Sequence, residues 1–148
     1  MQILVLHGPN LNLLGRREPH IYGTTTLAEI NAKLSALAAT LGVEVDAFQS
    51  NHEGALIDKL HESMDRAKGA LINPAGLTQH GVPLHDAIKA MPFPTLEIHM
   101  TNIAAREQWR DHSIISSAVK GTIQGLGWRS YTAGLYALVD LVRESPKV

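Results

Sequence analysis

The sequence predicts an α/β fold, a three-layer sandwich in which helices cover both faces of a five-stranded parallel sheet. Two observations lead there. Short apolar runs alternate along the chain with longer segments whose apolar residues recur at helical spacing. The first run, Ile3 to Leu6, is apolar without a break, as a strand buried on both faces requires; a strand with one wet face would alternate. Parallel pairing follows, because parallel neighbours need a crossover and the helical segments supply it.

The elements can be justified in order. From Leu27 the positions Leu27, Ile30, Leu34, Leu37 and Leu41 keep helical spacing, with threonines before them as caps and Gly42 as a stop. Val43 to Phe48 reads as the second strand. Leu56, Ile57, Leu60 and Met64 mark a second helix, expected to end near Gly69. Ala70 to Ile72 is the third strand, stopped by Asn73-Pro74, and a short helix from about Pro83 to Met91 follows. Thr95 to Ile98 is the fourth strand, and Thr122-Ile123 with its flanks the fifth. Tyr131 to Val142 closes the chain as a helix, with Leu135, Leu138, Val139 and Val142 on one face. Five such β-α units suggest a flavodoxin-like strand order, in which ligands bind beyond the carboxyl ends of the strands.

Length and composition set bounds. A chain of 148 residues is the size of a single domain, here residues 1–148. Thirteen basic against fourteen acidic residues give a net charge of -1, so no global field draws nucleic acid or an anionic membrane. The absence of cysteine excludes disulfides, thiol catalysis and Cys-ligated metal. Strand-like sequence from Gln2 leaves no room for a signal peptide and no apolar run reaches membrane length, so the expected location is cytoplasmic.

The strand ends are unusually polar: His7-Gly8-Pro9-Asn10, Gln49-Ser50-Asn51-His52, Asn73, and His99-Met100-Thr101-Asn102. The first connection is also long, roughly seventeen residues where two to six are usual, which points to a functional lid. It carries Arg16, Arg17 and Tyr22 between Gly15 and Gly23.

Several familiar sites are missing. The turn from Gly8 to Gly15 lacks the Lys-Ser/Thr of a P-loop and the spacing of a dinucleotide fingerprint, and Gly125-Leu126-Gly127 reads as close packing after the last strand. A phospho-receiver needs acidic residues where this chain has His7 and Asn73. The eight histidines include no His-Glu-x-x-His and no other clear ligand spacing, so no metal is expected; His20, His61 and His85 read as solvated surface residues.

Two constellations remain. Glu97 and His99, two apart on a strand, share one face, and a carboxylate beside an imidazole favours the imidazolium and fixes its tautomer. That suits a general acid, though a structural ion pair has the same pattern. Phenols titrate near pH 10, so a tyrosine acts as a base near neutrality only where cations stabilise its phenolate. One Arg at about 4 Å contributes about 4 kcal/mol in an effective dielectric near 20. Arg16 or Arg17 makes Tyr22 such a candidate.

These segments together resemble the signature of type II 3-dehydroquinate dehydratases. The similarity runs through Gly8 to Gly15, Arg16-Arg17-Glu18-Pro19, Tyr22-Gly23, Gln49 to Gly54 and Asn73-Pro74-Ala75. It continues through Glu97-Ile98-His99, Asn102-Ile103, Ala105-Arg106-Glu107, Arg110, His112-Ser113 and Gly125-Leu126-Gly127, nearly the whole chain in order.

The resemblance implies a flavodoxin-like fold, a homododecamer built as a tetramer of trimers, and no cofactor or metal. The implied reaction is loss of water from 3-dehydroquinate to give 3-dehydroshikimate, a step of the shikimate pathway of aromatic amino acid biosynthesis and of quinate catabolism. Tyr22 matches the base, Arg17 the lid arginine that activates it, and Asn10 the residue that steadies the enolate oxygen through a water. His99, oriented by Glu97, matches the acid. Asn73 and the backbone amides of Met100 and Thr101 match the grip on the substrate carboxylate, Arg110 a contact to ring hydroxyls, and Asp86 a carboxylate approaching from a neighbouring subunit.

One departure bears on substrate. Where the family reads Thr-His-Thr-Ser, this chain reads Thr78-Gln79-His80-Gly81, so Gln79 stands where a histidine holds substrate hydroxyls. An amide can still hold a ring hydroxyl but cannot become cationic. Alternative readings are therefore the same elimination on a differently hydroxylated cyclic acid, and a non-catalytic flavodoxin-like binding module.

Overall fold

A computed structural model, describing residues 1–145, has five parallel strands: β1 (Gln2–His7), β2 (Glu44–Gln49), β3 (Ala67–Asn73), β4 (Thr95–His99) and β5 (Gly121–Gln124). They form one sheet in the order β2-β1-β3-β4-β5, the expected flavodoxin-like arrangement. The helices are α1 (Pro19–Tyr22), α2 (Leu27–Leu41), α3 (Glu53–Ser63), α4 (Val82–Lys89) and α5 (Arg129–Glu144).

The unbroken apolar run of β1 serves both faces of the sheet. Ile3 and Val5 turn toward α2 and α5, where they meet Ile30, Leu34, Leu135 and Leu138. Leu4 and Leu6 turn toward α3 and α4, where they meet Leu56, Leu60, Leu84 and Ile88. All four strand residues are inaccessible to solvent, and each such side chain contributes about 1.5–3 kcal/mol of burial. Helix α2 starts as its sequence suggests: Thr26 Oγ1 accepts the Glu29 N–H at 3.2 Å, and Gly42 closes it in the left-handed region.

Two expectations are corrected. The second helix stops at Ser63, and Gly69 lies inside β3. A Cβ on Gly69 would sit 3.0 Å from Leu138, so this glycine lets α5 lie close on the sheet and is no helix stop. The fourth β-α unit is also incomplete. Between β4 and β5 there is no α-helix, only three 3-10 turns at Ile103–Ala105, Gln108–Arg110 and Ser116–Ala118. That stretch supplies Ser113 and Ser116 to the buried Glu97, and an apolar helix there would deprive the carboxylate of both hydroxyl donors.

The long first connection is not structureless. It forms a 3-10 turn at Leu11–Leu13 and the single turn α1, and Leu11 and Leu14 anchor it in the core. Gly125 (φ 89°) and Gly127 (φ 62°) occupy the left-handed region and turn the chain from β5 into α5. Among the described residues no helix is long and apolar enough to cross a membrane.

Candidate active site

A cavity of about 170 Å³ opens beyond the carboxyl ends of β1, β3 and β4, where the strand order reverses. Asn10, Arg17, Tyr22, Asn73, Gln79, His99, Met100, Thr101 and Arg110 all line it. The polar end of β2 does not. Gln49 Nε2 donates to the Gly8 carbonyl at 3.2 Å and Asn51 Oδ1 accepts the Asn10 N–H at 2.9 Å, so this strand end fixes the first turn from behind.

Tyr22 comes to the cavity on α1, where Pro19 opens the turn. The Arg17 guanidinium carbon lies 5.1 Å from the centre of its ring. Arg16 is exposed and absent from the lining. The cation that hydrogen-bonds to the phenol oxygen is instead Arg106, whose Nη1 and Nη2 donate to it at 3.4 and 3.5 Å. Nη1 also donates to Thr101 Oγ1 at 3.2 Å, which steadies the fork. Burial pulls the Arg106 guanidinium down, but the Tyr22 oxygen and then Glu107 and Glu18 hold it above the ordinary arginine range. Arg106 was absent from the site read in the sequence, although it stands in the Ala105-Arg106-Glu107 block.

On β4, His99 lines the cavity and Glu97 lies fully buried behind it. His99 Nε2 contacts Glu97 Oε2, which leaves Nδ1 as the ring nitrogen not taken by Glu97. Ser113 Oγ donates to Glu97 Oε2 at 2.7 Å and Ser116 Oγ to Oε1 at 2.8 Å. Burial works against the Glu97 charge, yet His99 and the two hydroxyls outweigh it and hold the carboxyl below its usual range. Both serines were missed; Ser113 was legible only as part of a sequence block, because nothing in the spacing ties it to a strand sixteen residues earlier.

Gln79 turns its amide nitrogen away from the cavity. Nε2 donates to the Arg110 and His112 carbonyls, both at 3.1 Å, so only the side-chain oxygen remains to face a ligand. Gln79 thus clamps the turn that carries Arg110, while His80 is exposed and outside the lining. Gln79→Glu keeps the shape and deletes both donors, setting a carboxylate against two carbonyls. It should raise KM about fivefold or more, the equivalent of about 1–3 kcal/mol, with kcat less affected. Steady-state kinetics at one pH checks this, and an unchanged KM rules the clamp out.

Asp86 lies on α4 outside this cavity, its side chain 74% exposed and 3.0 Å from His85 Nδ1. His85 also departs from the surface role expected of it: it is half-buried, with Nε2 2.9 Å from Ser117 Oγ.

The family model described as Dehydroquinase class II matches residues 1–139. The chain belongs to this family. It is 51% identical over 142 residues to the 3-dehydroquinate dehydratase of Desulforudis audaxviator (strain MP104C), covering 96% of this chain and 95% of that one. It is 52% identical over 139 residues to that of Nostoc sp. (strain PCC 7120 / SAG 25.82 / UTEX 2576), with coverage of 94% and 95%. The crystal structure of the type II dehydroquinase from Propionibacterium acnes superposes with a TM-score of 0.91 at 42% identity, over 94% of this chain and 96% of that one.

Stability is tied to a buried histidine outside the cavity lining. Burial lowers the His7 imidazole from its ordinary 6.5 to about 4, its hydrogen bond to Asn31 offsetting part of the fall. The unfolded chain therefore takes up this proton first as pH drops. The His7 contribution to stability is complete above pH 6.5 and is lost toward pH 4, about 3 kcal/mol for a shift of this size. Denaturant midpoints compared at neutral pH and near pH 4.5 should fall more in the wild type than in His7→Asn. Parallel declines would show that other groups set the acid limit.

Proposed function

We propose that the protein dehydrates 3-dehydroquinate to 3-dehydroshikimate by an enolate-type elimination. One observation carries the reading: Tyr22, flanked by Arg17 and Arg106, and His99, backed by Glu97, line the same cavity. A proton beside a ketone is weakly acidic, so its removal needs an aimed base and a stabilised enolate. The Tyr22 phenolate takes that proton, and the electron pair moves onto the ketone oxygen, which Asn10 steadies through a water. As the enolate collapses, the carbon–oxygen bond to the hydroxyl breaks, and the His99 imidazolium supplies the proton that lets it leave as water. Solvent then takes the proton from Tyr22 and returns one to His99.

Asn73 and the amides of Met100 and Thr101 hold the substrate carboxylate, and Arg110 with the Gln79 oxygen meets the ring hydroxyls. We further propose a cytoplasmic homododecamer, a tetramer of trimers, in which Asp86 approaches a neighbouring copy's cavity. The exposure of Asp86 and its absence from the lining of its own cavity favour this. A solution mass of twelve times the 16.1 kDa chain checks the assembly.

The clamp role of Gln79 favours one second reading, the same elimination on a cyclic acid with different hydroxyls, because the side chain offers an acceptor where a titratable ring is usual. Absorbance of the conjugated enone separates the two. Its appearance with 3-dehydroquinate supports the first reading; its absence from folded protein, together with turnover of another hydroxylated cyclic ketone, supports the second.

A further inference from the structure

Two buried titratable groups, His7 and Tyr131, take no part in the elimination, and they stand directly behind a residue of the cavity wall. Both are inaccessible to solvent, and Tyr131 Oη lies 3.0 Å from Asn73 Nδ2 and 3.0 Å from His7 Nδ1. Asn73 in turn lines the cavity.

The hydrogens in this cluster can be assigned in one direction only. The Ala75 N–H must donate, and it donates to Asn73 Oδ1 at 3.2 Å, which fixes the carbonyl end of that amide. Nδ2 is therefore the end that donates to Tyr131 Oη. The Tyr131 hydroxyl hydrogen is thereby directed onto His7 Nδ1, which must accept. A neutral His7 then carries its proton on Nε2, where Asn31 Oδ1 receives it at 2.8 Å. Every member is satisfied, and none can reverse without leaving a buried donor facing a donor. Asn73 Nδ2 keeps one further hydrogen, free of this chain of bonds.

We infer that His7 and Tyr131 are positioning residues which, through Asn73, hold that remaining N–H toward the substrate in the cavity. Tyr131 supplies the acceptor that keeps the amide from turning over, and His7 supplies the acceptor that keeps the Tyr131 hydrogen away from Asn73. The inference rests on the proposed grip of Asn73 on the substrate carboxylate.

The test compares the wild type with Tyr131→Phe, His7→Leu and His7→Asn by steady-state kinetics on 3-dehydroquinate, with folding checked by thermal melts. Tyr131→Phe and His7→Leu should each raise KM about tenfold while kcat stays within about threefold, because the weakened hydrogen bond is to a part of the substrate that does not react. In His7→Asn the Oδ1 stands near the former Nδ1 and again accepts from Tyr131, so KM should return close to the wild-type value. The double variant should be no worse than the worse single one, since both act through one amide. An unchanged KM in folded Tyr131→Phe overturns the inference, as does a His7→Asn variant as impaired as His7→Leu. A crystal structure of Tyr131→Phe decides the point without turnover: a turned or mobile Asn73 amide supports it and an unmoved one sinks it. Absence of activity in the wild type would instead count against the proposed reaction.

Discussion

Tyr22→Phe should abolish turnover, by about 10²–10⁴-fold in kcat, while leaving ligand affinity largely intact. The substitution removes one oxygen. The ring still packs against the core cluster and still meets Arg17 at the same face, so α1 has no reason to move. What disappears is the phenol oxygen proposed to receive the proton, which is also the partner of both Arg106 nitrogens. Arg106→Met should lower kcat less than Tyr22→Phe, because Arg17 remains close to the ring. Rapid-quench or continuous absorbance assays of the purified variants provide the comparison. Retention of more than about a tenth of the wild-type rate by Tyr22→Phe would fall outside what loss of a general base allows and would move that role elsewhere.

The second large effect is expected at the proposed acid, His99. His99→Ala should reduce kcat by about 10²–10⁴-fold, since hydroxide is a poor leaving group without a proton donor. Glu97→Gln should cost less, because the imidazole stays in place. Its amide, however, removes the negative charge that favours the imidazolium, and it offers two N–H hydrogens to a site already filled with donors from Ser113, Ser116 and His99. The basic limb of the pH–rate profile should therefore move to lower pH. If His99→Ala and Glu97→Gln both turn over like the wild type, the pair is a structural ion pair and the proton comes from another group. A drop in His99→Ala with no change of profile in Glu97→Gln would confine the carboxylate to holding the ring.

How much of this was legible in the sequence depends on the range of the interaction that encodes it. The unbroken apolar run of Ile3 to Leu6 determined a strand buried on both faces, and the spacing of Ile30 and Leu34 determined which side of α2 meets it. The Glu97–His99 pair was equally legible, since a strand returns every second side chain to the same face. In each case one backbone period decides the outcome, and it is written in neighbouring residues.

Other features were decided only by the folded chain. Gly69 carries no local mark that separates a helix stop from a point where Leu138 must approach the sheet. Arg106 reaches Tyr22 across 84 positions, and His7 meets Tyr131 across 124. Gln79 spends its amide on two carbonyls more than thirty residues away. Side chains so distant in sequence share no backbone period, and their meeting is fixed by strand order and by the turns that replace a helix between β4 and β5. The sequence determined the scaffold and the residue types at its polar edge; tertiary packing decided which of them touch, because hydrogen-bond partners at that separation are chosen by geometry that no local pattern records.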